Sequence, residues 1–445
     1  MNVDLLVSAL GRAAAHGATA ADGFLVEEQR FSALVRLGQV DTVTHARDQR
    51  LSIRVFVGKA SAAASTSDLS RGSLERVVDE ATQLARVTGE DAHAGLPDAR
   101  DLVDRVPDLD LEDRAPDPLT PEAKIEIARQ AEAAALDADP RVTNSEGGEY
   151  FDRRARYAYA TSHGFAEGYA TSSFGITVSP VASRNGEMQR DSWYSMARKR
   201  AALDEPASVG RTAAALALRR LGARKVKTTE VPIVFDPDTA ASLLRSLASA
   251  ASGPSIYRRA SFLLDRVGAR IASPSVTIVD DGLLPSALGS RPFDGEGLAT
   301  RRTVIVDEGR FESYLLDSYS ARKLGTTSTH HAVRDGSGVT VGTTNLMLLP
   351  GSASAKELIG SVRNGLYVTE LIGFGVNGVT GDYSRGAVGL WIENGELTYP
   401  VEEVTVAGNL LDMLAGVEGV GNDLVLRNRT AAPTLLIGRM VVAGD

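Results

Sequence analysis

The chain has 445 residues, of which 43% are hydrophobic and 24% are charged, and its formal net charge is −9 at pH 7. This length and composition are typical of a globular protein with two or three domains. The negative charge argues against nucleic-acid binding, which needs a basic surface to neutralise phosphates. The sequence contains no cysteine, which excludes disulfides and thiolate metal ligands.

No run of apolar residues approaches the roughly 20 residues that are needed to span a bilayer. The start of the sequence, Met1–Asp4, has no basic segment and no apolar core of the kind that defines a secretion signal. We therefore expect a cytoplasmic protein that binds neither a membrane nor nucleic acid.

The first predicted domain, residues 1–112, begins with a helix and continues as an antiparallel sheet. Apolar residues recur at helical spacing over Val3–His16, and Gly17 is a typical residue just beyond a helix end. A second helix is predicted over Ser73–Arg86. Between these helices, segments with strand-like composition are separated by polar breaks and occupy residues 23–28, 32–37, 39–45 and 51–57.

The middle predicted domain, residues 113–226, repeats this combination of helices and hairpins. It follows a connection over residues 92–118 that is rich in proline and aspartate. Thr120 and Pro121 indicate a helix start, because threonine caps the first turn and proline fits the first helical position. Asn185-Gly186 is typical of a two-residue hairpin turn. Strand-like segments cover residues 154–162, 164–173, 175–183 and 187–196, and a helix is predicted over 208–221.

The third predicted domain, residues 227–445, starts with a strand over Val231–Phe235 and a helix over Asp238–Ser249. The remainder is rich in glycine, which suits tight turns, bulges and closely packed strands. The fold class is therefore predicted as α+β. Two units of helices and antiparallel sheet are followed by a glycine-rich β-barrel or sandwich.

The histidines do not form a metal-binding pattern. None of the six lies in a His-x-x-x-His or His-Glu-x-x-His sequence, which would place two ligands one helical turn apart. His330 and His331 are adjacent and would point to different sides of a helix or a strand. Asp236, which precedes Pro237, is interpreted as a helix cap. We therefore predict no metal ligand in this chain.

Two loops are candidates for a binding site. Ser328–His331 brings hydroxyls beside imidazoles, but adjacency in sequence is weak evidence for a catalytic triad. This segment is either an exposed loop after a helix ending at Gly325 or the lining of a peptide channel. Gly373–Gly378 fits Gly-x-Gly-x-x-Gly, but no apolar helix follows, which argues against a dinucleotide site. Close packing of the backbone, against the chain itself or an extended peptide, explains these glycines better.

Asp382, Tyr383 and Arg385 are further candidates for binding. Gly381 and Gly386 flank them, which predicts a sharp turn at each end. Arg385 can hold a carboxylate with two hydrogen bonds, and Asp382 is the nearest carboxylate in the sequence. Because tyrosine and arginine often anchor interfaces, we expect an interface or a channel wall here. The alternative is that Asp382 and Arg385 only stabilise their own turn.

Four segments of the sequence together resemble the TldD/TldE family, on its TldE (PmbA) side. They occur in the expected order at residues Tyr257–Asp265, Pro292–Gly297, Ser318–Gly325 and Gly381–Gly386. TldD-type chains of that family carry a His-Glu-x-x-x-His zinc motif. This chain has Asp236, Ala240 and Ala241 where that pattern would place its histidines and general base. The resemblance therefore implies a chain that lacks the zinc site.

The resemblance further implies a non-catalytic subunit of a metallopeptidase complex. Such a chain pairs with a TldD-like subunit, which supplies the zinc and cleaves unfolded or modified peptides; an older description of the family is modulator of DNA gyrase. No catalytic residue, cofactor or metal ligand is then expected in this chain. The residues expected to bind peptide or partner are Asp382, Tyr383, Arg385, His330 and His331.

Two other functions remain open from the sequence. One is a self-sufficient hydrolase that uses serine or aspartate chemistry around His330 and His331. The other is a homodimeric binding module that has no peptidase partner.

Overall fold

The computed structural model describes residues 2–115, 119–336 and 338–444. Residues 116–118, at the end of the predicted connection, lie outside the described residues. The N-terminal half is a long antiparallel sheet with helices on one face. The C-terminal half is built around a β-barrel and contacts the other face of that sheet.

The N-terminal sheet runs through both of the first two predicted domains. Its described strands follow the order β3-β2-β1-β4-β5-β6, and β7 pairs with β5, all antiparallel. Their bounds are β1 Ala20–Arg36, β2 Gln39–Val57, β3 Ala60–Thr66, β4 Val142–Thr161, β5 Ala166–Arg184, β6 Glu187–Arg190 and β7 Trp193–Ala197. Asn185 and Gly186, with φ of 54° and 86°, form the predicted hairpin turn between β5 and β6.

Helices cover one face of this sheet, and the apolar residues of the strands alternate accordingly. The helices are α1 Val3–Ala15, α2 Arg71–Val87, α3 Pro121–Leu136 and α4 Pro206–Leu218, with short 3₁₀ turns at Ala99–Asp101 and Arg200–Ala202. Leu25, Ile53 and Val55 pack under α1 and α2, whereas Val35 packs under α3 and α4. The predicted cap of α3 is confirmed, because Thr120 Oγ1 accepts a hydrogen bond from Ala123 N.

The prediction of four separate strands in the first 57 residues is wrong. β1 and β2 are two continuous strands, and the polar residues that suggested breaks lie within them. Gln29 and Arg30 stay in β1 because they pair with β2 on one side and β4 on the other. Pairing on both edges therefore outweighs the local preference for a break.

The C-terminal half contains shorter elements. Its strands are β8 Thr229–Phe235, β9 Ile278–Asp281, β10 Arg302–Asp307, β11 Arg310–Phe311, β12 Ala332–Asp335, β13 Gly338–Val341, β14 Leu346–Leu348, β15 Asn364–Ile372, β16 Asp382–Glu393, β17 Glu396–Asn409, β18 Val417–Val420, β19 Thr430–Ala431 and β20 Leu435–Ala443. Its helices are α5 Pro237–Ala250, α6 Gly253–Tyr257, α7 Ser318–Leu324, α8 Ala355–Gly360 and α9 Leu410–Ala415.

A closed barrel of five strands confirms the barrel alternative of the predicted fold class. Over the described residues the strands follow the order β17-β16-β15-β8-β20, and pairing of β17 with β20 closes the ring. The pair β8 and β15 is parallel, and the other pairs in the ring are antiparallel. A second sheet in the order β11-β10-β9-β14-β19 and helix α5 share the apolar core of the barrel.

None of the helices in the described part of the chain is both long enough and apolar enough to cross a membrane. The domain limits 1–112, 113–226 and 227–445 stay a prediction, and the shared N-terminal sheet joins the first two of them.

Candidate functional site

Helix α5 begins immediately after barrel strand β8, and its first turn is stabilised by Asp236. Asp236 Oδ1 accepts hydrogen bonds from Thr239 N and Thr239 Oγ1, both at 2.8 Å. Pro237 occupies the first helical position, which confirms the predicted cap. Burial raises the pKa of Asp236 to about 6, although the hydrogen bonds from Thr239 favour the ionised form. This carboxylate is therefore engaged in holding the helix start.

The start of α5 does not fit a zinc ion. Ala240 and Ala241 are buried in the barrel core and offer no donor atom. Zinc needs three or four nitrogen, sulfur or oxygen ligands around one point. Among the residues that the structure describes, no group of three His, Cys, Asp or Glu side chains could hold a metal ion.

A cavity of about 410 Å³ lies on the outer side of α5, and we call it the α5 cavity. Its helix wall carries Ser242, Arg245, Ser246 and Ser249, which recur at the spacing of one helix face. Arg385 from β16 forms the opposite wall together with the loop after β15. The cavity thus presents two arginines and a row of hydroxyls, which suits a ligand that carries an anionic group.

Arg385 is fixed in place but keeps unused hydrogen-bonding capacity. Its Nη2 donates to Leu371 O at 3.0 Å, and its Nη1 donates to Ser242 Oγ at 3.4 Å. Its Nε is buried and has no hydrogen-bond partner among the described residues. Burial lowers the pKa of the neighbouring Arg245, and the positive charge of Arg385 lowers it further. Two like charges therefore face one space, which an anion would relieve.

The structure separates Asp382 from Arg385, whereas Tyr383 stays beside Arg385. The predicted turn at Gly386 is wrong, because Asp382–Glu393 is one continuous strand. Asp382 is exposed, and its carboxylate accepts hydrogen bonds from Thr380 Oγ1 and Asn409 Nδ2 rather than from Arg385. Residues three apart on a strand point to opposite faces, which explains why the expected ion pair does not form.

Tyr383 lies in the barrel core and is 2% exposed, so the expectation that it faces a channel or an interface is not met by its position. Burial raises the pKa of its hydroxyl to about 12, although Arg385 nearby favours the ionised form. The hydroxyl has no hydrogen-bond partner within the described ranges. A direct binding role for Tyr383 stays a prediction. A ligand can reach its side chain only if the barrel wall around it moves.

The glycine-rich segment after β15 packs closely against the barrel. Ser384 N donates to Gly375 O at 2.7 Å, and a Cβ on residue 375 would lie 1.5 Å from Ser384 O. Phe374 beside it is fully exposed and lines the α5 cavity. The segment is followed by strand β16 and not by a helix, which agrees with rejecting a dinucleotide site.

His331 joins an array of hydrogen bonds that sequence analysis did not anticipate. Its Nε2 lies 3.2 Å from Asp280 Oδ2, and its Nδ1 lies 2.9 Å from Thr329 Oγ1. Asp280 also accepts from Thr344 N and Thr344 Oγ1. The side chains of His331 and Asp280 are 2% and 1% exposed, respectively. Asp280 lies on β9, about 50 residues before His331. The sequence around His331 therefore could not predict this partner.

This array has the residue types of a catalytic triad. Its hydroxyl, however, is already engaged in the structure and does not face a substrate site. The Thr329 hydroxyl accepts a hydrogen bond from Leu316 N at 2.6 Å, so it ties the loop to the end of the preceding segment. A nucleophile needs a hydroxyl that can reach a substrate. His330 points elsewhere, with its Nδ1 2.7 Å from Ala299 O. The two histidines therefore stabilise the loop that follows α7. Helix α7 is capped at its C-terminal end by Gly325, as predicted.

Sequence reasoning placed Arg385 at an interface or a channel wall, and it missed the residues of α5 that face Arg385 across the cavity. The serines and Arg245 of α5 follow the periodicity of a helix face, a signal that was present in the sequence. The α5 cavity does not include Asp382, Tyr383, His330 or His331. Of the five predicted binding residues, the structure brings Arg385 alone to this cavity.

Comparison with protein families gives matches along most of the chain. Models described as PmbA/TldA metallopeptidase domain 1, central domain and C-terminal domain match residues 21–85, 114–221 and 228–444, respectively. These three matches follow one another in chain order.

Two PmbA relatives are similar over nearly the full chain, and a TldD homolog is similar over less than half of it. The sequence is 39% identical to Metalloprotease PmbA of Escherichia coli O157:H7, over 93% of this chain and 90% of that protein. It is 36% identical to a Metalloprotease PmbA homolog of Haemophilus influenzae, over 93% and 90%. Similarity to a Metalloprotease TldD homolog of Buchnera aphidicola is 25% and spans 47% of this chain and 44% of that protein.

Solved structures share the fold. A Bacteroides thetaiotaomicron structure named for a modulator of DNA gyrase superimposes with a TM-score of 0.92 at 30% identity, covering 99% of this chain and 98% of that one. TldE from Thermococcus kodakarensis superimposes with a TM-score of 0.86 at 21% identity, covering 99% and 100%. At that identity the second match shows the fold alone.

Proposed function

The chain belongs to the PmbA/TldD metallopeptidase family, and from this membership we propose that it is the non-catalytic, TldE-like subunit of a peptidase complex. Its partner is a TldD-like chain that holds the zinc ion and cleaves unfolded or modified peptides. The relatives that match it over most of their length carry the name PmbA, whereas the TldD homolog matches over less than half.

The observation that carries this proposal is the first turn of α5. In the zinc-bearing members that the resemblance describes, the corresponding helix supplies histidines and a general base. Here the same region offers Asp236, which caps the helix, and two buried alanines. Metal-assisted hydrolysis needs an ion with an open coordination position beside the substrate. We therefore assign the peptide-cleaving step to the partner and derive no step through a metal in this chain.

The experiment is to purify this chain, a TldD-like protein from the same organism, and the two together after co-expression. Cleavage of denatured casein is measured for each sample, and zinc is measured by elemental analysis. We expect the two chains to elute together, activity in the mixture, and zinc in the partner. A chelator is expected to abolish cleavage. Stoichiometric zinc in this chain alone, lost on His330→Ala, would contradict the proposal.

Substitution of Asp236 by asparagine tests whether this carboxylate only caps helix α5 or takes part in catalysis. Asparagine also caps helices well, so Asp236→Asn is expected to leave the cleavage rate of the complex unchanged. Substituting a zinc-ligand histidine of the partner is expected to abolish cleavage. If Asp236→Asn stopped cleavage while the complex remained intact, this chain would take part in the chemistry.

The second candidate function is a self-sufficient hydrolase, and the array of Asp280, His331 and Thr329 is the observation that favours it. Under this alternative the isolated chain degrades casein in the presence of a chelator. Thr329→Val would then stop degradation, whereas Thr329→Ser would retain it. No degradation by the isolated chain at any protein concentration would leave the subunit role, or a homodimeric binding module, as the explanation.

A further inference from the structure

A second cavity, of about 430 Å³, lies between the uncovered face of the N-terminal sheet and the C-terminal half. Its floor is formed by central strands β1, β4 and β5, through Phe24, Tyr157 and Tyr169. Its roof is formed by residues 288–295 and by β12. We call it the arginine cavity because its walls include Arg50, Arg153, Arg198, Arg291, Arg334 and Arg429.

The positive charge of the arginine cavity is not balanced by its own carboxylates. Arg153 and Arg334 are paired with Glu28 and Asp22, which lie behind the wall. The acidic residue in the lining is Asp294. Its carboxylate oxygens accept hydrogen bonds from the backbone amides of Glu296, Leu298 and Ala332. Arg291 is close enough to Asp294 to favour its ionised form, so this carboxylate partly compensates Arg291 and leaves Arg50, Arg198 and Arg429 without a carboxylate in the lining.

Arg198 is buried and has no carboxylate partner among the described residues. It is 7% exposed, and its three nitrogen atoms donate to the backbone oxygens of Ala287, Leu288 and Ser172. Burial lowers the pKa of Arg198 to about 10, and the positive charge of Arg429 contributes to this shift. A buried guanidinium that faces another cation is costly unless an anion accompanies it.

Arg291 provides the independent sign that a ligand is missing. Its Nε and Nη2 are both buried and have no hydrogen-bond partner among the residues that the structure describes. Buried polar atoms in native proteins are almost always paired with protein, water or ligand. Arg198, Arg291, Arg429 and Tyr169 all line this one cavity. The charges of the three arginines also favour the ionised form of the Tyr169 hydroxyl.

Aromatic rings also line the arginine cavity, so a ligand bound there contacts apolar surfaces as well as the arginines. The rings of Tyr157 and Tyr169 lie 5.1 Å apart, and those of Tyr169 and Phe293 lie 5.3 Å apart. The volume falls in the range of roughly 300–1,000 Å³ that is usual for small-ligand pockets. A ligand that combines a carboxylate with apolar or amide groups therefore suits the site better than a bare ion.

We propose that the arginine cavity binds a carboxylate of a peptide between Arg198, Arg291 and Arg429. This inference rests on the proposed function, which makes a peptide the substrate of the complex. The two central floor strands, β1 and β4, are paired on both edges, so a peptide cannot add to them as a new strand. Recognition is instead through the charged group, which guanidinium donors can hold with two parallel hydrogen bonds.

The carboxylate could come from the end of a peptide or from an acidic side chain, and three peptides distinguish these sources. The first is an unstructured peptide with one internal glutamate and a free C-terminus. The second carries a C-terminal amide, and the third has glutamine in place of glutamate. Binding of each to the isolated chain is measured by calorimetry at low salt. Loss of binding with the amide assigns the C-terminus, and loss with glutamine assigns the side chain.

Two substitutions and a control test the site itself. Arg291→Gln removes the donors that lack a partner, and Arg429→Gln removes an exposed cation of the wall. Each is expected to weaken binding of the preferred peptide about 10-fold or more, because hydrogen bonds to charged groups are lost. Arg439→Gln changes the same charge at an exposed position outside the lining and is expected to leave affinity unchanged. Circular dichroism verifies that each variant is folded.

Several results would overturn the proposal. Equal binding of all three peptides, or affinity that is unaffected in both cavity variants, would show that the cavity does not hold a carboxylate. Binding of inorganic phosphate without binding of any peptide would assign the cavity to a phosphate-bearing ligand instead. The measurement uses this chain alone, so failure here leaves the subunit role intact. Failure to form a complex with the partner would, in turn, leave the binding result intact.

Discussion

Arg334 Nη2 lies 2.5 Å from Asp22 Oδ2, although 312 positions separate these residues in the chain. Asp22 is on β1 of the N-terminal sheet, and Arg334 is on β12 of the C-terminal half. The same carboxylate accepts hydrogen bonds from Arg54 Nη2 at 2.7 Å and from the Tyr159 hydroxyl at 3.0 Å. One buried carboxylate therefore links the two halves of the molecule directly.

Asp22→Asn is expected to destabilise the protein by about 3–5 kcal/mol, the usual cost of removing one partner from a buried ion pair. Asp22 is fully buried, and its loss leaves Arg54 and Arg334 without their countercharge. Burial opposes ionisation of Asp22, but Arg334 and Arg54 outweigh it and hold its pKa well below the usual range. Urea denaturation followed by circular dichroism measures the change.

The control for this substitution is Asp48→Asn. Asp48 also pairs with an arginine, Arg30, but is 61% exposed, so its removal is expected to cost less than about 1 kcal/mol. Similar losses from the two substitutions would mean that burial of the pair between Asp22 and Arg334 contributes little.

Glu296 predicts a dependence of stability on pH. Burial, helped by the nearby charge of Asp294, raises the pKa of this carboxyl to about 7. Between its ordinary value and about 7 the folded protein binds a proton that the unfolded chain has released, so the free energy of unfolding falls as pH rises through this window. Across this pH window, titration of Glu296 lowers the free energy of unfolding by roughly 2–3 kcal/mol.

Glu296→Gln is expected to remove this part of the pH dependence while keeping the acceptor for Ser318 N, which now bonds to Glu296 Oε2. Unfolding in urea at a series of pH values between 4.5 and 8 measures it. Glu80→Gln, at an exposed position of α2, removes the same charge and should leave the wild-type dependence in place. Parallel curves for the wild type and Glu296→Gln would refute the prediction.

Gly375→Ala is expected to displace the loop that borders the α5 cavity. The added Cβ would lie 1.5 Å from Ser384 O, so the backbone must move and the hydrogen bond between Ser384 N and Gly375 O is lost. Overpacking of this kind costs about 1–3 kcal/mol. Thermal unfolding provides the measurement. Gly378→Ala is the control, because its added Cβ meets no atom within 4 Å.

Arg385→Ala is expected to weaken assembly with the TldD-like partner, or peptide cleavage by the complex, while the fold remains intact. Loss of a hydrogen-bonded arginine at an interface typically costs about 2 kcal/mol, or roughly 30-fold in affinity. Partner affinity by calorimetry, the cleavage rate and the melting temperature are compared for each variant. Arg439→Ala is the matched control, because it removes an arginine at an exposed position outside the α5 cavity.

A lower melting temperature with unchanged partner affinity and cleavage rate would show that Arg385 only stabilises its surroundings. Its bonds to Leu371 O and Ser242 Oγ link β16 to β15 and α5, so this outcome has a structural basis.

Helix positions could be predicted from the sequence because their signals are local. Thr120 with Pro121 and Asp236 with Pro237 mark the starts of α3 and α5 within one turn. The lengths of β1 and β2 could not be predicted in the same way. Whether Gln29 and Arg30 interrupt a strand depends on β4, which pairs with them from more than 100 residues away.

The candidate sites show the same limit. Arg385 was identified because it lies in a distinctive segment, but the alternation of side chains along β16 separates it from Asp382. The arginine cavity was not predicted at all. Arg198, Arg291 and Arg429 come from three distant parts of the sequence and meet only through the contact between the sheet and the C-terminal half.

The closed barrel sets an order for folding during translation. Strand β8 needs β20 as a neighbour, and roughly 200 residues lie between them. At about 5–20 residues per second, the ribosome takes roughly 10–40 s to produce that stretch. The strands of the N-terminal sheet precede β8 and can pair during this interval. Until then the edge of β8 that pairs with β20 stays open, and Ile233, Val234 and Phe235, which are fully buried in the finished barrel, are not yet fully covered.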